Sequence, residues 1–90
     1  MALGLVVKVY DGDTIRVEDG TRIRYARVNT PEVGQPKHDA AAKLNRELVL
    51  NKCVTYESHA ADVYGRLVCE VWLPEGRNVN DIMIEHGYGG

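Results

Sequence analysis

An alternation of apolar and polar residues through the first third of the chain most limits what it can fold into. Residues 5–10 and Thr14–Glu18 alternate with the two-residue period of a β-strand, and Asp11-Gly12 separates them. Asp19-Gly20 is a strong signal for a tight hairpin, so we predict that Thr21–Val28 forms a third strand. We therefore expect a three-stranded meander. The residues predicted to share one face of its first strand are Leu5, Val7 and Val9.

The middle and the end of the chain predict two helices. Asn29–Lys37 contains two prolines and a glycine and is predicted to be a loop. Apolar residues at helical spacing follow it and predict a helix over His38–Asn51. A shorter helix is predicted after Asn78, a typical N-cap residue, and its stop signal is Gly87.

Two further strands, predicted over Cys53–Glu57 and Leu67–Leu73, complete the order β-β-β-α-β-β-α. Five short strands with a helix between the third and the fourth are typical of an OB-fold barrel. The predicted fold class is therefore α+β, mainly β, although periodicity alone leaves other α+β arrangements open. Because 90 residues are the size of one domain, we expect residues 1–90 to form a single domain.

Composition and charge narrow the classes of function. Hydrophobic residues at 44% and charged residues at 27% are ordinary for a globular protein. A net charge of −2 argues against a broad basic surface, so any contact with nucleic acid is expected to be local. No apolar run reaches the roughly 20 residues of a membrane span, and Leu3–Val7 is too short for a signal-peptide core. From the sequence as it stands, we expect a cytoplasmic protein that is monomeric and does not contact membranes. If a leader was removed, we expect a secreted protein.

The two cysteines, Cys53 and Cys69, do not have the close spacing of a metal-ligand pair. One disulfide between them is an alternative, but we predict two unpaired thiols. They give no argument for secretion.

Two polar segments are candidates for chemistry. Asp11–Thr14 has the residues of a turn, but a turn does not need its second carboxylate, Asp13. Asn29–Glu32 directly follows a predicted strand and, taken alone, is a loop with a proline. Oxygens from the Asp13 and Asn29 side chains, with a backbone carbonyl, form the hard donor set that suits Ca²⁺. Glu32 is then a candidate to orient or deprotonate a water molecule.

Two arginines are candidates for binding phosphate. Arg24 lies on the third predicted strand, and Arg66 follows the Tyr64-Gly65 turn. For each of them, a solvated side chain is the simpler interpretation. Phosphoryl chemistry nevertheless favours arginine, because its planar fork can bind two phosphate oxygens at once.

The order and spacing of these segments resemble the staphylococcal nuclease (thermonuclease-like) family. The segments that carry the resemblance are Val9–Ile15, Ile23-Arg24, Val28–Glu32, Asp62–Leu67, and Val79-Asn80 with Gly87. They cover essentially the whole chain in the right order. The resemblance implies a five-stranded OB barrel with attached helices and Ca²⁺-dependent hydrolysis of DNA and RNA.

The resemblance implies a metal site and a group that acts on water. Asp13 matches the metal-binding aspartate, with Asp11 as a supporting acid close to the metal, and Thr30 matches the backbone carbonyl ligand. Glu32 matches the glutamate that activates or positions the attacking water. Asn29 departs from the staphylococcal enzyme, which has an aspartate there. Because the amide removes one negative charge, we expect weaker metal binding, and a tenfold loss corresponds to about 1.4 kcal/mol.

The resemblance also implies contacts to substrate. Arg24 and Arg66 match the two phosphate-binding arginines, and Tyr64 matches an aromatic residue beside the bound nucleotide. Asn80 matches a buried structural asparagine that ties helix and loop backbones together. Tyr88 is a further candidate for contacting substrate, with an apolar plug under the barrel as its alternative.

Two more departures concern the surface and the end of the chain. Arg27 stands where relatives carry a small or apolar residue, and we expect it to reach solvent rather than to extend a cationic surface. The staphylococcal enzyme continues beyond the position of Gly90 with more aromatic contacts. We therefore expect weaker substrate binding and broader specificity here.

The alternative function is a non-catalytic OB-fold module that binds single-stranded nucleic acid or a protein partner, as the family donates to larger proteins. The aromatic residues available for stacking on bases are Tyr10, Tyr25, Tyr64 and Tyr88. The presence of Glu32 together with Arg24 and Arg66 favours the enzyme, because a carboxylate beside a pure phosphate-binding site repels the ligand.

Overall fold

Five strands close into a barrel in the computed structural model, which describes residues 1–89. The strands are Ala2–Val9 (β1), Thr14–Val17 (β2), Arg22–Tyr25 (β3), Cys53–Ala61 (β4) and Leu67–Trp72 (β5). The helices are His38–Val49 (α1) and Val79–Met83 (α2), and a π-helical turn, Ile84–Tyr88, follows α2. The order around the barrel is β1-β2-β3-β5-β4, with β3 and β5 parallel and the other neighbours antiparallel. This confirms the predicted OB-fold α+β class.

Apolar side chains from every strand fill the barrel. The fully buried side chains of the strands include Val6, Ile15, Ile23, Tyr25, Val54 and Val71. Helix α1 adds Ala41 and Val49, and α2 adds Val79 and Met83. None of the helices within residues 1–89 is long and apolar enough to cross a bilayer.

The predicted inner face of β1 is wrong at Val7. Val6 is fully buried and Val7 is 42% exposed, while Val9 is partly buried against the core. The pairing of β1 with β2 shifts register between Val6 and Lys8, as at a β-bulge. An extra residue in one strand breaks the two-residue alternation, so the side chains before and after it do not share one face.

Several element boundaries differ from the prediction. Strand β3 ends at Tyr25 instead of Val28, because Arg27 has a φ of 65° and leaves the extended conformation. Strand β4 continues to Ala61, since it pairs with β5 beyond the predicted end. Helix α1 ends at Val49, two residues before Asn51, whose φ is 64°. These boundaries depend on tertiary pairing or on a local left-handed residue.

The predicted signals at the second helix are confirmed. The Asn78 side chain accepts a hydrogen bond from the backbone N–H of Asp81 at 2.8 Å, as an N-cap residue does. Gly87 has a φ of 95°, which glycine adopts without steric strain, and the helical conformation ends there.

Arg27 reaches solvent, as expected, but its charge is paired. Its guanidinium donates to the two carboxylate oxygens of Glu70 at 2.6 and 3.0 Å and to Asp81 at 3.0 Å. The side chain is 51% exposed. Arg27 therefore links β5 to α2 and does not add free positive charge to the surface.

The Arg27–Glu70 pair predicts a pH-dependent stability. Hydrogen bonds from Arg27 hold the pKa of the Glu70 carboxyl below its usual range. A carboxyl with a depressed pKa contributes stability above its ordinary pKa and loses it as pH falls through the folded-state pKa. We expect Glu70→Gln to destabilise the fold by about 1 kcal/mol at neutral pH, a small figure because Arg27 is half exposed. Urea unfolding at neutral pH and near pH 3 measures it.

The difference in unfolding free energy between Glu70→Gln and the parent protein should shrink towards zero in acid. Glu18→Gln, which removes an exposed carboxylate outside the pair, is the matched control. An equal loss at both pH values would show that the Glu70 charge does not act through the pair.

Both cysteines are free thiols, as predicted. Cys53 is exposed, whereas Cys69 is fully buried in the core. Burial raises the pKa of the Cys69 thiol to about 11, so it behaves as an apolar core residue.

Candidate active site

The seven residues predicted for metal binding and catalysis line one cavity of about 200 Å³. They are Asp11, Asp13, Arg24, Asn29, Thr30, Glu32 and Arg66, and Pro31 completes the wall. We call this space the central cavity. It gathers four separate parts of the chain: the β1–β2 turn, β3, the loop before α1, and Arg66 directly before β5.

Strand pairing explains why these parts meet. Thr14 at the start of β2 is the register partner of Arg24 on β3. The backbone N–H of Tyr25 donates to the Asp13 carbonyl at 2.9 Å, which extends that pairing to the β1–β2 turn. Because β5 runs parallel to β3, with Leu67 opposite Ile23, Arg66 lies beside β3, and its Nη1 reaches Thr14 Oγ1 at 2.9 Å.

Asp11 and Asp13 form a repelling pair of carboxyl groups. Burial of Asp13, then its hydrogen bond and charge interaction with Asp11, raise the pKa of the Asp13 carboxyl above its usual range. The Thr14 hydroxyl donates to Asp13 Oδ1 at 2.9 Å and Arg24 Nη2 lies 3.5 Å from Oδ2, and both contacts act in the opposite direction. A bound cation would relieve the repulsion.

Both arginines are braced on one side. Arg66 Nε donates to Asp62 Oδ2 at 2.7 Å, and its Nη1 donates to Thr14 Oγ1 at 2.9 Å. Arg24 Nη1 donates to the Tyr25 carbonyl at 2.9 Å. Each guanidinium has five N–H donors, so these contacts orient the fork and leave donors for a ligand. The Arg66 side chain is 21% exposed and the Arg24 side chain is 26% exposed.

The loop that carries Glu32 is fastened at several points. The Glu32 backbone N–H donates to Gln35 Oε1 at 2.8 Å, and the Gln35 N–H returns a bond to the Glu32 carbonyl at 2.9 Å. His38 Nδ1 lies 3.0 Å from the Pro31 carbonyl, which assigns the proton to Nδ1. The Asn29 N–H donates to the Tyr88 carbonyl at 2.7 Å. The backbone is therefore held while Glu32 itself is exposed.

Asn45 is a positioning residue that the sequence analysis missed. It is fully buried on α1, accepts a hydrogen bond from the Tyr25 hydroxyl, and donates from Nδ2 to the Asp11 carbonyl at 2.9 Å. It thereby fastens the β1–β2 turn to the helix. The signal was present, because Asn45 lies between Ala41 and Val49 at helical spacing on a face that is otherwise apolar.

Gly12 lets the β1–β2 turn approach α1 closely. A Cβ atom at this position would lie 2.7 Å from the Ala41 Cβ and 2.8 Å from the Thr30 Cγ2. We expect Gly12→Ala to destabilise the fold by about 1–3 kcal/mol and to displace Asp11 and Asp13. Urea unfolding and divalent-cation titration measure the two effects. Gly76→Ala, a turn substitution with open space around its Cβ but a φ of 103°, is the control for local strain alone.

Acidic side chains alone do not make a metal centre here. Within residues 1–89, no group of three or more His, Cys, Asp or Glu side chains is arranged to hold a metal ion. Asn29 and Thr30 also line the central cavity with Asp13 and Asp11, and their chemistry includes an amide oxygen and a backbone carbonyl. These are hard oxygen donors of the kind Ca²⁺ prefers. The donor set therefore fits a calcium ion only when the amide and a backbone carbonyl take part.

The two predicted substrate-contacting tyrosines line two different cavities, each of which shares residues with the central cavity. Tyr64 is 70% exposed and lines a cavity of about 340 Å³ that shares Asp11 and Arg66 with the central cavity. The Arg66 guanidinium lies 5.5 Å from the centre of the Tyr64 ring. Tyr88 is partly buried against the core and lines a third cavity, which shares Asn29–Glu32 with the central one. We call these the Tyr64 cavity and the Tyr88 cavity.

Comparison with known proteins gives a consistent set of relatives. A family model described as "Staphylococcal nuclease homologue" matches residues 22–89. An "Uncharacterized endonuclease" of Escherichia coli O157:H7 is 39% identical over 87 residues, covering 93% of this chain and 57% of that protein. "Thermonuclease" of Staphylococcus intermedius is 38% identical over 80 residues, covering 77% of this chain and 48% of that protein.

A third relative is much longer. "Endonuclease YhcR" of Bacillus subtilis (strain 168) is 35% identical over 103 residues, covering 94% of this chain and 8% of that protein. The chain thus spans about half the length of the first two relatives and a small part of the third. Each is a protein that this chain resembles over the region matched.

Proposed function

The chain belongs to the staphylococcal nuclease homologue family, and from that premise we propose that it hydrolyses phosphodiester bonds of nucleic acids with Ca²⁺. The observation that carries the proposal is the convergence of Arg24, Arg66 and Glu32 on one cavity with two acidic residues. A cavity that only bound phosphate would not gain from carboxylates in its wall.

The two arginines are proposed to hold the scissile phosphate. Both are braced by protein groups, so their remaining N–H donors are oriented before substrate arrives. Charge builds up on the phosphate oxygens as the phosphorus becomes pentacoordinate, and two oriented forks stabilise that charge more than the ground state. The Tyr64 cavity beside Arg66 then receives the nucleoside on one side.

Glu32 is proposed to take the proton of the attacking water. Its exposed carboxylate is at the cavity wall, and its backbone is fixed by Gln35. As the proton moves to Glu32, the water oxygen bonds to phosphorus. The ester bond to the leaving oxygen breaks, and that oxygen takes a proton from solvent.

Asp13, Asn29 and the Thr30 carbonyl are proposed to hold Ca²⁺, with Asp11 beside them. When bound, the ion supplies positive charge that offsets the negative charge of the phosphate. Asn29 contributes no charge of its own, so we expect weaker calcium binding than a site with an aspartate there would have.

Glu32→Gln tests the proposal. We expect it to lower kcat on labelled single-stranded DNA and RNA by about 100- to 10,000-fold with Ca²⁺, because the amide cannot accept the proton. Glu47→Gln, which removes an exposed carboxylate on α1, should leave kcat unchanged. EDTA should stop cleavage by the parent protein.

Either of two results would reject the proposal that the protein is an enzyme. One is the absence of chelator-sensitive cleavage of either substrate at high protein concentration. The other is a Glu32→Gln variant equal to the parent while Arg24→Ala and Arg66→Ala weaken nucleic-acid binding. That second pattern identifies the non-catalytic binding module.

A further inference from the structure

A large cavity adjoins the central cavity at Glu32. This Tyr88 cavity has a volume of about 730 Å³. It shares Asn29–Glu32 with the central cavity, which in turn shares Asp11 and Arg66 with the Tyr64 cavity. The central cavity, which is the proposed cleavage site, therefore adjoins both of the other cavities.

Two basic side chains, from separate parts of the chain, line the Tyr88 cavity. Lys37 directly precedes α1, and His86 belongs to the π-helical turn after α2. Within residues 1–89, neither forms an ion pair with a carboxylate, whereas Arg27 and Arg77 do. Their charge is available to an anionic ligand.

The hydrogen bond of His86 determines what it can offer. Its Nδ1 lies 2.9 Å from the Ile82 carbonyl, which can only accept, so the proton is on Nδ1. Nε2 of the neutral ring is then an acceptor and becomes an N–H donor only on protonation. Protonated His86 can therefore donate to a phosphate oxygen, and so can the Lys37 ammonium group. Glu32 is the acidic residue in the same wall.

We propose that the Tyr88 cavity, which shares no residue with the Tyr64 cavity, binds a second phosphodiester group of a single-stranded nucleic acid. Lys37 and His86 contact the phosphate oxygens, and Tyr88 and Gln35 line the space for the attached nucleoside. The proposal rests on the proposed function, since the strand enters this cavity by passing through the central one.

Binding of a labelled single-stranded DNA octamer in EDTA at pH 6.0, followed by fluorescence anisotropy over a range of salt concentrations, tests the site. Lys37→Gln and His86→Gln should each raise Kd about twofold to fivefold, the effect of one exposed ionic contact. Lys37→Gln should also reduce the slope of log K against log salt by about 0.7. Lys43→Gln, on the exposed side of α1, should match the parent.

A kinetic comparison separates this site from catalysis. With Ca²⁺, Lys37→Gln should raise KM for the octamer more than KM for a dinucleotide, which has one phosphodiester to place in the central cavity. Equal Kd values for Lys37→Gln and Lys43→Gln, with unfolding midpoints equal to the parent's, would overturn the proposal. If the parent cleaves neither substrate, the proposed function fails, and the binding experiment still decides whether Lys37 and His86 contact the strand.

Discussion

Replacing Arg66 by lysine is expected to lower kcat on single-stranded DNA by about 100- to 1000-fold, the cost of losing one oriented donor group at a reacting centre. Arg66 uses one nitrogen on Asp62 and another on Thr14, which leaves the rest of its fork directed by those contacts. An ammonium group cannot keep both contacts and still present two parallel N–H groups to a phosphate. Steady-state kinetics with saturating Ca²⁺ measures the loss.

Arg77→Lys is the matched control for Arg66→Lys. Arg77 also pairs with a carboxylate, Glu75, but it is 61% exposed and lies outside the central cavity. We expect the kcat of the Arg77→Lys variant to equal that of the parent protein. A loss of less than tenfold for Arg66→Lys would show that Arg66 acts as a diffuse positive charge and not as a bidentate group.

Replacing Asn80 by alanine is expected to cost about 3–5 kcal/mol of unfolding free energy, close to the whole stability of a marginal domain. Asn80 is fully buried, and its Oδ1 accepts from the Val71 N–H at 2.9 Å. Its Nδ2 donates to the Ala26 carbonyl at 2.8 Å and to the Cys69 carbonyl at 2.9 Å. Alanine removes the Asn80 partner of the Val71 N–H and of the Ala26 carbonyl, while the Cys69 carbonyl keeps its bond from the Ala26 N–H at 2.9 Å.

Urea unfolding followed by the fluorescence of Trp72 measures the effect of Asn80→Ala. Asn78→Ala is the control on the same helix, and it should cost only about 1 kcal/mol, the usual value of an N-cap. Similar losses for the two variants would mean that water replaces the Asn80 amide. The bonds of Asn80 join α2 to β5 and to the end of β3, which is the structural role that the family resemblance implied.

Local signals in the sequence predicted the elements well where local chemistry decides them. The Asp19-Gly20 hairpin, the Asn78 cap and the Gly87 stop depend on side chains and φ angles within a few residues. The two-residue alternation placed most strands. It failed at Val6 and Val7, because a bulge arises from the pairing of β1 with β2 and not from β1 alone.

The sequence by itself determined the order of the elements along the chain, and its resemblance to a known family selected the seven residues that line the central cavity. Only the tertiary structure decided which residues brace them. Asn45 reaches the Asp11 carbonyl across 34 positions of chain, and Thr14 meets Arg66 across 52. The Tyr88 cavity likewise requires Lys37 and His86 to meet from separate elements. Contacts between distant positions follow from strand register and helix docking, and no local pattern encodes them.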